Sequence, residues 1–157
     1  MGAYLVDICV LAAVLLPVAF LSGTALGTEG LSGPDIYLRA LALVSLPSWA
    51  YFILTDRLAD GRSVGKRVLG LRSTDGRGNP PSWGQAIVRT AVKLLPWELV
   101  HLAFFGLSAS FAMLSPIQIG LGGVAYLLMA IYLVVPLRFG GERGAQDLVA
   151  GTRVVRA

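Results

Sequence analysis

The sequence predicts an all-α membrane protein with four transmembrane helices, an interfacial amphipathic helix and a short β-hairpin, all in one domain over residues 1–157. Three observations carry this. Hydrophobic residues make up 55% of the chain and charged residues only 14%, against ~25% charged in soluble domains. Several apolar runs approach or reach the ~20 residues that a helix needs to cross ~30 Å of hydrocarbon. The basic residues are gathered into two polar segments, the arrangement that fixes how a chain sits in a bilayer.

Composition also excludes other classes. A net charge of +4 suits nucleic acid in principle, but the basic residues flank apolar spans and form no basic helix or aromatic–basic platform, so no nucleic-acid partner is expected. One cysteine, Cys9, makes no intrachain disulfide, and with one histidine no Cys/His zinc set can be assembled. No metal or cofactor is expected.

The first span covers residues 3–26, apolar but for Asp7 and small polar residues near its end. No Lys or Arg precedes it, so it reads as a span rather than a secretory signal. Pro17 bends it, and Gly23 and Gly27 offer a small face for helix approach. The second span covers residues 36–54, with Asp35 and Arg39 spaced to pair at i,i+4. Trp49, Tyr51 and Phe52 mark its exit at an interface.

The cytoplasmic segment 55–95 carries Arg57, Arg62, Lys66, Arg67, Arg72, Arg77, Arg89 and Lys93. Val68 to Ser73 reads as a strand and Thr74-Asp75-Gly76 as a tight turn, a hairpin too short to stand without support from the bundle. Ser82 and Gln85 have capping-box spacing. Beyond them Trp83, Ala86, Ile87, Thr90, Ala91, Leu94 and Leu95 share one helical face, while Gln85, Arg89 and Lys93 line another. That pattern predicts an amphipathic helix lying in the interface plane. Pro96 ends it or turns it inward. A third span over residues 97–114 follows, then a Ser115-Pro116 turn and a fourth span over residues 117–136, where Gly120, Gly122 and Gly123 suit close packing. The tail 137–157 is polar and carries Arg138, Arg143, Arg153 and Arg156.

Four spans place both termini and the 55–95 segment on one side. That side holds every one of the 13 basic residues except Arg39. The positive-inside rule makes it the cytoplasm, and Trp49, Trp83 and Trp97 fall at the same interface. The expected location is the plasma (inner) membrane, multi-pass, with the bilayer as the first partner.

Candidates for chemistry are few. Asp7 lies about 9 Å along the first helix, where Arg89, Lys93 or a tail arginine can neutralise it. The alternative is a proton- or cation-binding carboxylate. Glu98 and His101 sit one turn apart, the spacing of di-iron bundles, but a dinuclear site needs a second such pair. They read instead as a polar patch lining a cavity or bonding Asp7, or as interhelical hydrogen bonds. Ser108 and Ser110 lack any mark of an oxyanion hole. Gly61 to Lys66 is one residue short of a phosphate-binding loop. No enzyme activity is expected.

Ala3-Tyr-Leu-Val-Asp7, Gly61-Arg-Ser-Val-Gly65-Lys66-Arg-Val-Leu-Gly70-Leu-Arg72, Asp75-Gly76, Arg89 and Gln146-Asp147-Leu-Val-Ala-Gly151-Thr152-Arg-Val-Val155 come in that order. Together they make a pattern that resembles the RDD family of membrane proteins over nearly the whole chain. The resemblance implies that Asp7 is the family's first-helix aspartate and Asp147 its C-terminal one. The family's name-giving arginine normally precedes the Ala-Tyr-x-x-Asp segment and has no counterpart in this sequence. The histidine usual before the last aspartate is Gln146 here. The resemblance implies transport, cation/proton antiport among the suggestions. The ionisable residues within the spans then offer Asp7, Glu98 and His101 as the polar pathway, and four spans are few for an antiporter, so a homo-oligomer is expected. The alternative is an accessory or scaffold protein whose basic platform, including Lys66 and Arg67, binds a partner membrane protein or anionic lipid.

Overall fold

The computed structural model describes residues 2–27, 31–107 and 114–157, with the side chain of residue 26 left aside. It runs α1 (Gly2–Leu26), α2 (Gly33–Ala40), a π-helical turn (Leu41–Ser45), α3 (Leu46–Leu58), α4 (Val64–Val68), β1 (Leu71–Thr74), α5 (Trp83–His101), a second π turn (Leu102–Gly106), α6 (Pro116–Arg138), α7 (Ala145–Ala150) and β2 (Arg153–Arg156). The segment from α2 through α3 is one rod, Gly33–Leu58. With Gly2–Ala25 and Pro116–Arg138 it makes three helices long and apolar enough to cross a membrane among the described residues. Leu5, Phe20, Ile117, Tyr126 and Leu133 are exposed along α1 and α6, as hydrocarbon-facing positions are.

The expected third span, residues 97–114, takes a different form. Its helix begins at Trp83 and runs through Pro96 to His101, so the interfacial helix and the start of the span are a single element. Residues 108–113 lie outside the described residues. Pro96 does not end the helix. Its missing N–H frees the carbonyl of Val92 four residues back, and the Tyr132 hydroxyl of α6 donates to that carbonyl.

The orientation of this helix also differs from its amphipathic reading. Arg89 and Lys93 are buried, whereas Trp83, Ile87 and Leu95 are exposed. Two carboxylates inside the fold attract the basic residues inward, and the large apolar side chains are left to face outward.

The hairpin is corrected as well. Val68 closes α4, whose N-cap is Ser63, and β1 starts only at Leu71. β1 pairs antiparallel with β2 from the tail, Leu71 opposite Arg156 and Thr74 opposite Arg153. The turn after Thr74 closes on Asp75, whose side chain accepts from the Arg77 and Asn79 amides at 2.8 and 2.9 Å. Pro80 and Pro81 then follow, and neither has an N–H for a returning strand.

Other local expectations divide. Ser82–Gln85 and Ser115–Gln118 are capping boxes. Asp35 is taken by the box of Ser32, and Arg39 donates instead to the Gly27 carbonyl at 2.7 Å. Gly120, Gly122 and Gly123 have nothing within 4 Å of where a Cβ would stand among the described residues, although Gly122 is buried.

All the polar elements collect at one end. α4 packs on α1, α7 on α5, and β1 on β2. That end holds the start of α1, the exits of α3 and α6, and the start of α5. At the opposite end α2 meets the second π turn, and buried Gln118 donates to the Ala103 carbonyl at 2.9 Å.

Gly65 governs the α1–α4 contact, because a Cβ there would stand 1.9 Å from the Ala3 carbonyl oxygen. Gly65→Ala is therefore expected to lower the melting temperature in detergent, the overpacking costing about 1–3 kcal/mol. Gly84→Ala, at a helical glycine with open space around it, leaves the melting temperature unchanged or slightly raised. Equal losses in both variants would show that the close approach does not matter.

Candidate functional site

Six ionisable side chains are buried among the described residues: Asp7, Asp56, Asp147, Lys66, Arg89 and Lys93. A charge removed from water must be paired or hydrogen-bonded, and four of these six pair with one another. Asp56, in the last turn of α3, accepts from Lys66 Nζ at 2.5 Å on one oxygen and from Arg89 Nε at 2.9 Å on the other. Arg89 donates through one terminal nitrogen to both Asp147 and Thr152. Its other terminal nitrogen reaches Ser73 Oγ at 2.8 Å. Lys66 also donates to Ser73 Oγ at 2.6 Å and to the Gly61 carbonyl at 3.3 Å. Burial pulls the Lys66 ammonium below the ordinary lysine range, against the opposing pull of Asp56.

Local structure holds each partner in place. Asp147 sits at the third position of α7 and accepts the Gly144 amide at 2.9 Å, with Thr152 Oγ1 donating to its other oxygen at 3.0 Å. Gly61 has φ +71, and a Cβ there would stand 2.1 Å from the Ser73 carbonyl oxygen. Only glycine lets the loop pass this close to β1. Gly70 accepts the Ala157 amide at 2.9 Å, Gly151 caps α7 in the left-handed region, and Arg72 lies 3.7 Å from exposed Asp60. The segments Gly61–Arg72 and Asp147–Thr152 are thus two halves of one hub, joined through Arg89.

Asp7 is not part of it. The expected basic partner is absent: Arg89 is occupied by Asp56 and Asp147, and no Lys or Arg lies in ion-pair range of Asp7 among the described residues. Three neutral donors replace it. Tyr51 Oη and the Gly65 amide each reach Oδ1 at 2.7 Å, and Ser63 Oγ reaches Oδ2 at 2.6 Å. Asp7 therefore seats α1 on the N-terminus of α4, where the helix dipole favours a carboxylate.

Glu98 and His101 do not bond Asp7 either. Glu98 accepts from Trp49 Nε1 at 3.0 Å and from Ser45 Oγ at 3.1 Å, and Ser45 Oγ is also 3.3 Å from His101 Nδ1. The first π turn ends at Ser45 and buries it; such bulges aim side chains that a regular helix would turn away. Glu98 borders two cavities. One, of ≈ 300 Å³, lies between α1, α3 and α5 and includes Ser48 and Trp97. The other, of ≈ 620 Å³, is lined by Tyr37, Trp49 and Ile53. Glu98 stands nine residues beyond Arg89, about 13 Å deeper along α5. No group of three His, Cys, Asp or Glu that could hold a metal occurs among the described residues.

Lys93 is the other buried charge without an ionic partner. Its Nζ lies 3.9 Å from the centroid of the Phe52 ring, a cation–π contact in place of a carboxylate.

Sequence reasoning missed Asp56, Ser45, Trp49 as a donor, Ser73 and Tyr132. Asp56 offered one signal: it lies seven residues past Trp49, two helical turns on the same face.

Apolar helices closed at one end by buried, hydrogen-bonded ion pairs, with a lone carboxylate–imidazole pair deeper inside, define a helical membrane protein. The chain belongs to the RDD family, whose model matches residues 1–151. No curated protein and no solved structure matches it.

The hub and Lys93 differ in what their loss should do. Arg89→Gln leaves Asp56 and Asp147 short of a cation and is expected to cost about 3–5 kcal/mol, read as a large fall in melting temperature in detergent. Lys93→Met removes a buried ammonium that makes no hydrogen bond and is expected to leave the melting temperature unchanged or raised. A loss from Lys93→Met as large as that from Arg89→Gln would place Lys93 in the hub.

Proposed function

We propose that this protein crosses the plasma membrane four times, with both termini and the 55–95 segment in the cytoplasm, and moves protons or small cations through a site made by Glu98 and His101. α5 with its π turn makes the third crossing. Gathering of the polar elements at one end supports the topology, because that end carries every basic residue of the chain except Arg39. The positive-inside rule then sets the orientation.

The observation that carries the transport reading is the contrast between two kinds of carboxylate. Asp56 and Asp147 are held by bases, and Asp7 by three donors. Glu98 has neutral donors on one side and open cavity on the other, with no Lys or Arg in ion-pair range among the described residues. An intramembrane acid kept free of basic partners is suited to taking up a proton or cation. Asp7 leaves the pathway and becomes a structural residue. Four crossings enclose little space for a translocation route, so a homo-oligomer is part of the proposal. No enzymatic step is proposed.

A second reading, an accessory protein that binds a partner membrane protein, draws support from α4. Val64 and Val68 are exposed there beside Arg67, leaving an uncovered apolar edge on the platform. Lys66 is buried in the hub and is no docking residue.

Protein reconstituted in liposomes with an entrapped pH indicator is expected to move protons when a sodium or potassium gradient is applied. Glu98→Gln should cut the rate at least tenfold, with little change in melting temperature, while Arg67→Gln should leave it intact. Folded protein with no flux, or flux indifferent to Glu98→Gln, would leave the accessory reading in its place.

A further inference from the structure

Most of the arginines on the polar end are exposed to water or engaged by protein groups. Arg62 and Arg72 face Asp60, and Arg89 is enclosed in the hub. Arg57 differs. It lies in the last turn of α3, directly after Asp56, yet the Asp56 carboxylate is filled by Lys66 and Arg89. No other carboxylate comes into ion-pair range of Arg57 among the described residues, and its Nε, like those of Arg62, Arg72 and Arg153, is covered without a hydrogen-bond partner; what sets Arg57 apart is an aromatic neighbour. Its guanidinium carbon stands 5.9 Å from the centroid of the Trp83 ring. This cation–π contact leaves the two terminal nitrogens without a hydrogen-bond partner among the described residues, and side by side they can give a phosphate two parallel hydrogen bonds.

The surroundings say which phosphate. Leu54 and Leu58 are 45% and 68% exposed on α3, and Trp83 and Ile87 are both 47% exposed on α5. Leu54 and Ile87 lie one turn deeper into the bundle than Arg57 and Trp83, along their respective helices. A cation in cation–π range of an indole therefore stands at the rim of an uncovered apolar strip. A soluble anion matches the cation and leaves the strip bare. A lipid matches both, because its headgroup meets Arg57 while its chains lie on Leu54 and Ile87. Trp83 sits where interfacial tryptophans sit, between headgroup and hydrocarbon.

We propose that Arg57 and Trp83, with Leu54 and Ile87 on their membrane side, bind the headgroup of an anionic phospholipid at the cytoplasmic face. The site is separate from Glu98 and does not depend on transport. It adds a structural role for that lipid, since its two polar contacts come from α3 and α5, the helices that Asp56 and Arg89 also join.

Purified full-length protein in a neutral detergent provides the test. Phosphatidylglycerol is expected to raise the melting temperature by several degrees, and phosphatidylcholine or inorganic phosphate at equal concentration by less than a third as much. Arg57→Gln should remove more than half of the phosphatidylglycerol gain, and Arg67→Gln should keep it. Phosphatidylglycerol with brominated chains should quench tryptophan emission, with the quenched share reduced in Trp83→Phe; this reading holds even if Arg57→Gln folds poorly. Three results overturn the proposal: an undiminished gain in Arg57→Gln, an equal gain from inorganic phosphate, or equal quenching in Trp83→Phe.

Discussion

The pairing of Arg89 with Asp56 is the constraint on which the rest of the fold depends. Each charge alone would be costly to bury, and each sits on a helix otherwise committed to apolar surroundings. Once they meet, α3 and α5 are fixed in antiparallel register. The same register brings Trp49 and Ser45 to Glu98 and His101 farther along. One buried ion pair near the polar end thereby sets the geometry of a polar site about 13 Å deeper. Ser73, Asp147 and Thr152 accept three further hydrogen bonds from Arg89, so the platform is built around the guanidinium rather than placed on it.

Two separate carboxylate chemistries follow from this arrangement. In the hub, acids and bases neutralise one another and are buried. At Glu98, the donors are an indole and a hydroxyl, and the remaining surface is cavity. Asp7 stands between these cases: buried like the hub and uncharged in its contacts like Glu98, but fully occupied by the N-terminus of α4. The glycine at 65 exists for that contact, since any side chain would displace α1.

Legibility from sequence followed the range of the physics involved. α1 and α6 were plain, because continuous apolarity is a local property that hydrocarbon reads directly, and the capping boxes at Ser82 and Ser115 are equally local. The approximate course of α5 was visible but its facing was not. Periodicity groups Arg89 and Lys93 on one side, and only the presence of Asp56 and Asp147 on other elements decides that this side turns inward. Pro96 looked like an end or an inward turn of the helix because its rescue by Tyr132 comes from 40 residues away. β1 was read with its neighbours as a hairpin, when its partner strand lies at the far end of the chain. Asp7 was found as a lone acid, and Glu98 with His101 as a pair one turn apart. Their separation into a cap and a cavity group depends on Ser45 and Ser63, small hydroxyls that carry no signal in a sequence.

The pairing of β1 with β2 has a consequence for how the protein is made. Arg89 meets Asp56 across 33 residues but Asp147 only across 58 more in the other direction. During synthesis the earlier helices leave the ribosome and enter the bilayer while Arg89 still has one carboxylate instead of two. The platform closes only after α6 has been threaded and β2 has returned to lie against β1. Insertion and completion of the hub are thus separate events in time. Between them the chain is inserted but unlatched, with Asp147 and β2 still to arrive.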